Sequence, residues 1–195
     1  MNRGLTVSDE GYAVIYCDPP WDYRGGTQQS ASGSTGGATS HYTTMNADRL
    51  RALPVLGLAA HDCVLFMWAT SPHLDQAVSL FSAWGFTYKT VAFVWYKQRT
   101  NPGYYTMSQC ELCLVGKRGK IPRPRGARNV RQFVDVKRGR HSEKPAEVAD
   151  RIVEMFPHHR RIELFARTQR AGWDVWGNEC SSEPEAARIL GGNSE

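Results

Sequence analysis

The stretch Tyr12-Ala13-Val14-Ile15-Tyr16-Cys17-Asp18-Pro19-Pro20-Trp21 decides the fold, because an apolar run ends there in a polar and rigid tetrapeptide. The first six residues predict a buried β-strand. A carboxylate, two rigid imides and a large flat ring then follow where the strand opens into a loop. In an open α/β sheet, ligands bind in the crevice at the carboxyl ends of the strands. The sequence therefore predicts a site at the end of the first strand.

Each residue of the tetrapeptide suits a flipped-out adenine. Asp18 can accept a hydrogen bond from the exocyclic amine, and the carbonyl of Pro19, held still by the fixed φ of the prolines, can accept the second amine proton. Trp21 offers a face on which the base can stack. The amine is a poor nucleophile, and two acceptors favour a tetrahedral nitrogen that can attack a methyl group. The alternative is structural: a polyproline-like turn with a capping aspartate and a core tryptophan.

Composition indicates one compact domain over residues 1–195 with an ordinary core. No apolar run approaches membrane-spanning length, and the amino terminus lacks an apolar signal region, so we expect a cytoplasmic protein without membrane contact. There are five cysteines, and the single C-x-x-C, Cys110 and Cys113, lies in a strand-like run. This pattern favours reduced thiols and no metal site.

Positive charge is concentrated between residues 117 and 140, which contain ten Lys or Arg and one acid, Asp135. Prolines and glycines indicate that most of this stretch is a loop. A basic loop is typical of proteins that bind a phosphate backbone, and Arg123, Arg125 and Arg128 are the candidate contacts. The alternative is a solvated surface loop.

The remaining patterns alternate between strand and helix. Strand-like runs are Cys63–Trp68, Phe86–Tyr96, Cys110–Val115, Phe133–Val136 and Arg161–Ala166. Helix-like runs cover 45–58 and 71–84, and a third helix is predicted to begin at Ser142–Glu143, with Pro145 in its first turn. This order predicts an α/β fold, a doubly wound and largely parallel sheet with helices on both faces.

Two polar segments are predicted to lie outside the packed structure. The Gly/Ser/Thr/Gln-rich segment 25–40 is too polar to pack and follows the tetrapeptide directly, which predicts a mobile flap over the site. The alternative is a connection without a role. Residues 181–195 are predicted to form a disordered tail.

A methyl donor needs a pocket of its own, and the residues after the Arg161–Ala166 strand leave the same edge of the sheet. Arg167, Asn178 and Glu179 could bond ribose hydroxyls and a carboxylate. Lys144, at the start of the preceding helix, could pair with an amino-acid carboxylate. The chain has no glycine-rich G-x-G-x-x-G, so the standard dinucleotide fingerprint does not apply.

The chain resembles the DPPW-type adenine-N(6) methyltransferases, the family that includes the catalytic subunit of the eukaryotic mRNA adenosine methyltransferase. The resemblance runs from Tyr12 to Glu179 and looks closest to small bacterial and phage members. The matching stretches, in chain order, are Val14–Trp21, His41–Met45, Val64–Thr70, Lys89–Lys97, Glu111–Gly116, Ser142–Glu147, Ile162–Arg167 and Gly172–Glu179.

The resemblance implies a single Rossmann-like methyltransferase domain and S-adenosylmethionine as donor. It also implies a permuted motif order, in which the catalytic motif comes first and the donor-binding segments come last. The implied catalytic residues are Asp18, Pro19, Pro20 and Trp21. The implied donor site has a methionine end and a ribose end, formed respectively by Asp18 with Lys144 and by Phe165, Arg167, Asn178 and Glu179. The implied target-base side is lined by Tyr42, Lys97 and Glu111.

The resemblance leaves three functions open. Compact bacterial relatives favour adenine in DNA as the substrate, by analogy. The same chemistry on RNA is the first alternative. The second is a catalytically silent nucleic-acid-binding subunit, against which the intact tetrapeptide and Lys144 argue. A homodimer or a partner subunit also stays open.

Overall fold

The computed structural model describes residues 11–22, 44–103, 105–137, 139 and 143–191. Its strands are β1 (Tyr12–Cys17), β2 (Ala59–Ala69), β3 (Thr87–Asn101), β4 (Ser108–Arg118), β5 (Phe133–Asp135), β6 (Arg161–Leu164) and β7 (Asp174–Trp176). Its α-helices are α1 (Ala47–Ala52), α2 (Leu74–Ala83), α3 (Ala146–Met155) and α4 (Pro184–Leu190).

The strands form one sheet in the order β5-β3-β4-β2-β1-β6-β7. β1 pairs in parallel with β2 and β6, β6 with β7, and β3 with β5, whereas β4 runs antiparallel to both β2 and β3. Among the described strands only β4 is therefore reversed, so the predicted largely parallel sheet is confirmed. β4 is reversed because the connection between Asn101 and Ser108 is too short for the crossover that parallel neighbours need.

Helices cover both faces of the sheet, as the sequence predicted. On one face Ile15 and Cys17 of β1 belong to a buried cluster with residues of α1, α2 and α4. On the other face Tyr16 packs in a second cluster with Val148 and Ile152 of α3. β1 is therefore apolar on both sides, which explains its continuous apolar run.

The third predicted helix begins later than expected. α3 starts at Ala146 with Pro145 as its N-cap, instead of at Ser142–Glu143. The residue before a proline is disfavoured in the α region, so Lys144 stays outside the helix. This places Lys144 on the segment that leads into α3, at the carboxyl edge of the sheet.

The carboxyl-terminal segment is more ordered than the sequence predicted. Within 181–191, residues Pro184–Leu190 form α4, and Ala186 and Leu190 are buried against the core. The Glu183 side chain caps the helix by accepting a bond from the Ala186 N–H, and Trp176 Nε1 donates to the Gly191 carbonyl at 3.1 Å. The missed signal was the pair Glu183-Pro184 at the start of the helix, since proline favours the first helical position. No helix among the described residues is long and apolar enough to cross a membrane.

Candidate active site

The tetrapeptide leaves the sheet from an interior strand, because β1 lies between β2 and β6. Two backbone bonds hold its turn: the Trp21 N–H donates to the Pro19 carbonyl at 2.8 Å, and the Met45 N–H donates to the Pro20 carbonyl at 2.9 Å. The Pro19 carbonyl thus already accepts one bond, and its second lone pair is the one that can serve a ligand. The Asp18 side chain is 26% exposed, so it remains within reach of a ligand.

A chain of four alternating charges runs from the tetrapeptide into the sheet. The Lys144 Nζ lies 2.8 Å from Asp18 Oδ2 and 3.2 Å from Glu111 Oε2. The other oxygen of Glu111, Oε1, accepts a bond from Lys97 Nζ at 3.3 Å. The charges of the two carboxylates and the two ammonium groups cancel, so this group of four side chains is neutral. Lys144, Glu111 and Lys97 are largely buried. Removing any one of them would therefore leave a partner's charge buried and uncompensated.

Burial and ion pairing shift the pKa values of Asp18, Glu111 and Lys144. Burial raises the pKa of Asp18 above its ordinary value, and the ammonium group of Lys144 only partly opposes this. Burial also acts to raise the pKa of Glu111, but Lys144 and Lys97 outweigh it and hold that pKa below its ordinary value. Burial acts to lower the pKa of Lys144, yet its two carboxylate partners keep it above the ordinary value. At neutral pH Lys144 is therefore a cation and Glu111 an anion.

An aromatic wall from β2 holds Lys144 in place. Its Nζ lies 5.6 Å from the centre of the Trp68 ring, within cation–π range. Trp68 Nε1 donates to the Tyr16 hydroxyl oxygen at 2.6 Å, which fixes the orientation of the indole. Lys144 thus pairs with Asp18, which follows β1, and contacts the Trp68 ring of β2.

Trp21 packs into the core rather than lining an open pocket. Its side chain is only 6% exposed, and its ring stacks on His73 with centroids 5.7 Å apart and planes 17° apart. Its Nε1 donates to the Trp68 carbonyl at 3.2 Å. In this arrangement Trp21 supports the turn that carries Asp18 and does not present the predicted face to a base.

The residues predicted for the donor emerge beside Asp18. Cys17 of β1 pairs with Leu164 of β6, so the following residues, Asp18 and Phe165, leave the sheet as neighbours. Phe165 has φ +61°, a left-handed conformation that is costly for a bulky residue and is typical of functional sites. Strain at this edge supports a ligand-binding role for the loop.

The loops after β6 and β7 are joined at Gly177. A Cβ there would overlap the carbonyl oxygen of Ala166, so only glycine permits this approach. It brings Arg167 next to Glu179, whose Oε1 lies 3.9 Å from the guanidinium Nε, and both Asn178 and Glu179 are exposed. The four residues predicted for the ribose end therefore lie on two adjoining loops at one edge.

Glu163 is a largely buried acid that the sequence reasoning missed. It lies in β6, its side chain is 19% exposed, and it accepts a bond from Arg170 Nε at 3.3 Å. Burial raises its pKa, and the nearby charge of Asp18 adds to the increase. The available signal was an acid between Ile162 and Leu164, in a strand expected to be buried on both faces.

The three arginines predicted to contact a phosphate backbone lie at the opposite end of α3. The Gly126 and Ala127 N–H groups of their loop donate to the Met155 and Glu154 carbonyls, at the end of α3 farthest from Lys144. Ten helical residues place this loop about 15 Å from Lys144. The guanidinium of Arg125 lies over the Phe156 ring, 5.2 Å from its centre, which explains its partial burial.

The structure thus does not bring Arg123, Arg125 and Arg128 to the carboxyl edge. Tyr42 and the predicted flap over 25–40 lie outside the described residues. Within the part of the chain that the structure describes, no three His, Cys, Asp or Glu side chains are grouped so as to hold a metal ion.

Comparison with known proteins gives the same family as the sequence motifs. The MT-A70 family matches residues 12–179. The chain is 50% identical to the Type II methyltransferase M.MunI of Mycoplasma sp over 180 residues, which are 86% of this chain and 77% of that protein. It is 32% identical to a putative N(6)-adenosine-methyltransferase MT-A70-like protein of Medicago truncatula over 182 residues, 87% of this chain but 26% of that protein. It is 27% identical to the mouse N(6)-adenine-specific methyltransferase METTL4 over 200 residues, 92% of this chain and 38% of METTL4. The resemblance deduced from the motifs is confirmed, and the chain belongs to the MT-A70 family.

Proposed function

We propose that the protein transfers a methyl group from S-adenosylmethionine to the N(6) amine of adenine in DNA. The observation that carries this proposal is the 2.8 Å contact between Asp18 and Lys144. The Asp18 carboxylate can bind an amine, and the neighbouring Lys144 ammonium group can bind a carboxylate. Both lie in the crevice at the carboxyl ends of the strands, where open α/β sheets bind ligands. Family membership independently supports adenine methylation.

The residues at this edge fit the proposed donor. Its methionine end carries an amine and a carboxylate, for which Asp18 and Lys144 supply the opposite charges. Its ribose offers hydroxyl groups, for which the exposed side chains of Asn178 and Glu179 supply hydrogen-bond partners. When bound, S-adenosylmethionine supplies an electrophilic methyl group on its sulfonium.

On the substrate side, the chain's own acceptors act on the adenine amine. The Asp18 carboxylate and the Pro19 carbonyl accept hydrogen bonds from its two N–H groups, which localises the nitrogen lone pair for attack. Methylation leaves the nitrogen with one proton too many. The Asp18 carboxylate, whose pKa burial raises, is the group that takes up this proton.

DNA is proposed as the substrate because of the bacterial relative. That relative is a Type II methyltransferase, half of its aligned residues are identical, and the alignment covers about three quarters of its length. The plant relatives named as adenosine methyltransferases are 31–32% identical. RNA is therefore the second candidate.

A labelled-donor experiment tests the proposal. The protein is incubated with S-adenosylmethionine carrying a labelled methyl group and with either genomic DNA or total RNA, and the nucleosides are analysed by mass spectrometry. We expect label in N(6)-methyldeoxyadenosine, its loss with Asp18→Asn, and normal labelling with Asp75→Asn, the same change at an exposed position of α2. Label confined to RNA, or Asp18→Asn activity equal to that of the parent, would contradict the proposal.

A further inference from the structure

Strands β3 and β4 extend beyond the rest of the sheet as a two-stranded ribbon. The last residue of β2, Ala69, pairs with Leu112, whereas β4 begins at Ser108. The stretch of β4 from Ser108 to Glu111 therefore projects past β2 by roughly 13 Å. The two strands pair at Trp95–Glu111 and Tyr96–Cys110 and again at Asn101–Ser108, with an irregularity in β3 between Tyr96 and Asn101.

The base of the ribbon is a wall of the active site. Lys97 on β3 and Glu111 on β4 are both members of the charge chain that reaches Asp18 through Lys144. The ribbon thus rises from the residues that hold the catalytic ion pair, on the side where the sheet binds ligands. A substrate that reaches Asp18 from this edge of the sheet comes close to the ribbon.

The tip of the ribbon presents large apolar side chains to water. Tyr105 is fully exposed and Met107 is 59% exposed, and they are the most exposed large apolar side chains in the described part of the chain. Exposed apolar groups next to a functional site indicate a contact surface.

The chemistry of the ribbon suits a nucleic acid. From Gln98 to Gln109 the sequence contains no Asp or Glu and one cation, Arg99, so the ribbon does not repel phosphate. Its other side chains are mainly amides and hydroxyls, which bond to phosphates, sugars and base edges. A two-stranded β-ribbon is also narrow enough to enter the major groove of duplex DNA.

We propose that Tyr105 and Met107, at the tip of the β3–β4 ribbon, contact the DNA bases beside the target adenine and stabilise its flipped-out state. This inference rests on the proposed function. Extruding a base breaks its stacking and pairing, and apolar side chains inserted at the disrupted step recover part of that loss. The ribbon projects from the same edge of the sheet as Asp18, so its tip lies on the side from which a duplex approaches the site.

Methylation of paired and unpaired targets tests the inference. A site that the parent protein methylates is first mapped in genomic DNA, and two duplexes are made, one fully paired and one with an abasic position opposite the target adenine. The variants are Tyr105→Ala, Tyr105→Ala with Met107→Ala, and Tyr105→Phe, which keeps the ring. Ile121→Ala is the matched control, because Ile121 is exposed but follows Lys120, whose N–H bonds Asp62 at the far end of β2.

On the paired duplex we expect the double variant to lose roughly 5- to 150-fold in kcat/KM, the range for losing one aromatic base contact. On the duplex with the abasic position the loss should shrink severalfold, since less pairing has to be broken. Tyr105→Phe and Ile121→Ala should stay near the parent, and all variants should bind S-adenosylhomocysteine equally.

Two results would overturn the inference while leaving the proposed function intact. The first is a double variant as active as the parent on the paired duplex. The second is an equal loss on both duplexes, which would mean that the tip does not assist flipping. A parent protein that methylates no DNA would instead overturn the proposed function, and the inference with it.

Discussion

Replacing Glu111 by glutamine should destabilise the protein strongly, because the change leaves two buried ammonium groups facing each other across a neutral amide. Glu111 lies 3.2 Å from Lys144 Nζ and 3.3 Å from Lys97 Nζ, and these three side chains are 6–16% exposed. At an effective dielectric constant near 20, each contact represents about 5 kcal/mol of Coulomb attraction before desolvation is counted. Measured net costs of removing one partner from a buried pair are about 3–5 kcal/mol.

A loss of that size is a large fraction of the about 5–15 kcal/mol by which domains are stable. It corresponds to a fall in Tm of about 6–20 °C for a domain of this length. The assay is urea unfolding, with thermal unfolding as a second measurement. Glu147→Gln is the matched control, because Glu147 pairs with Arg151 at the surface of α3, where such a pair contributes about 0.3–0.5 kcal/mol.

The pH dependence of the same difference provides a further check. The pKa of Glu111 is lower in the folded than in the unfolded protein, so its stabilising contribution is present above about pH 4.5 and is lost as the pH falls through the folded value. Adding Lys97→Met to Glu111→Gln removes the surplus cation and should restore part of the stability. A Glu111→Gln protein within about 0.5 kcal/mol of the parent would refute the reasoning, since surface substitutions typically stay in that range.

Three further outcomes are expected. With donor at saturation, Lys144→Met should move the acid limb of kcat to higher pH, because losing the ammonium lets burial raise the pKa of Asp18 further; an unmoved limb would mean that Asp18 does not set it. Asn178→Ala should weaken S-adenosylhomocysteine binding in calorimetry, whereas Asn129→Ala, at an exposed position of the basic loop, should not; equal affinities would place the ribose elsewhere. Trp21→Ala should cost about 3–5 kcal/mol in urea unfolding, as for a core aromatic, and a smaller loss than about 1 kcal/mol would show that its packing on His73 is not stabilising.

The apolar runs predicted the sheet well because buried strands need apolar residues on both faces. The rule that ligands bind at carboxyl strand ends also brought Asp18 and the loop after β6 to one edge before any contact was known. Pairing between distant side chains was less accessible. Glu111 and Lys97 were placed at the site by resemblance alone, since periodicity does not reveal which charges meet across neighbouring strands.

Composition does not indicate where a segment lies in the fold, and the predicted contact of the basic loop with a phosphate backbone stays a prediction. The arginine-rich loop is as basic as the sequence indicates, but the bonds of Gly126 and Ala127 to the end of α3 hold it away from Asp18. Trp21 could have been a stacking platform or a core residue, and its partner His73 comes from a distant segment. Charge and ring type describe a residue's chemistry, whereas tertiary contacts decide what it faces.

The interior position of β1 in the sheet determines how the site is disrupted during unfolding. Hydrogen exchange of amides occurs through local opening at frayed or exposed elements, and through global unfolding in the most protected ones. Ile15 is fully buried and Tyr16 is 2% exposed, in a strand bonded on both sides, so their amides belong to the most protected class. Asp18 is attached directly to that strand. The Asp18 carboxylate, which we propose to be catalytic, therefore keeps its place during local opening of outer elements such as α4 and loses it only when the whole sheet unfolds.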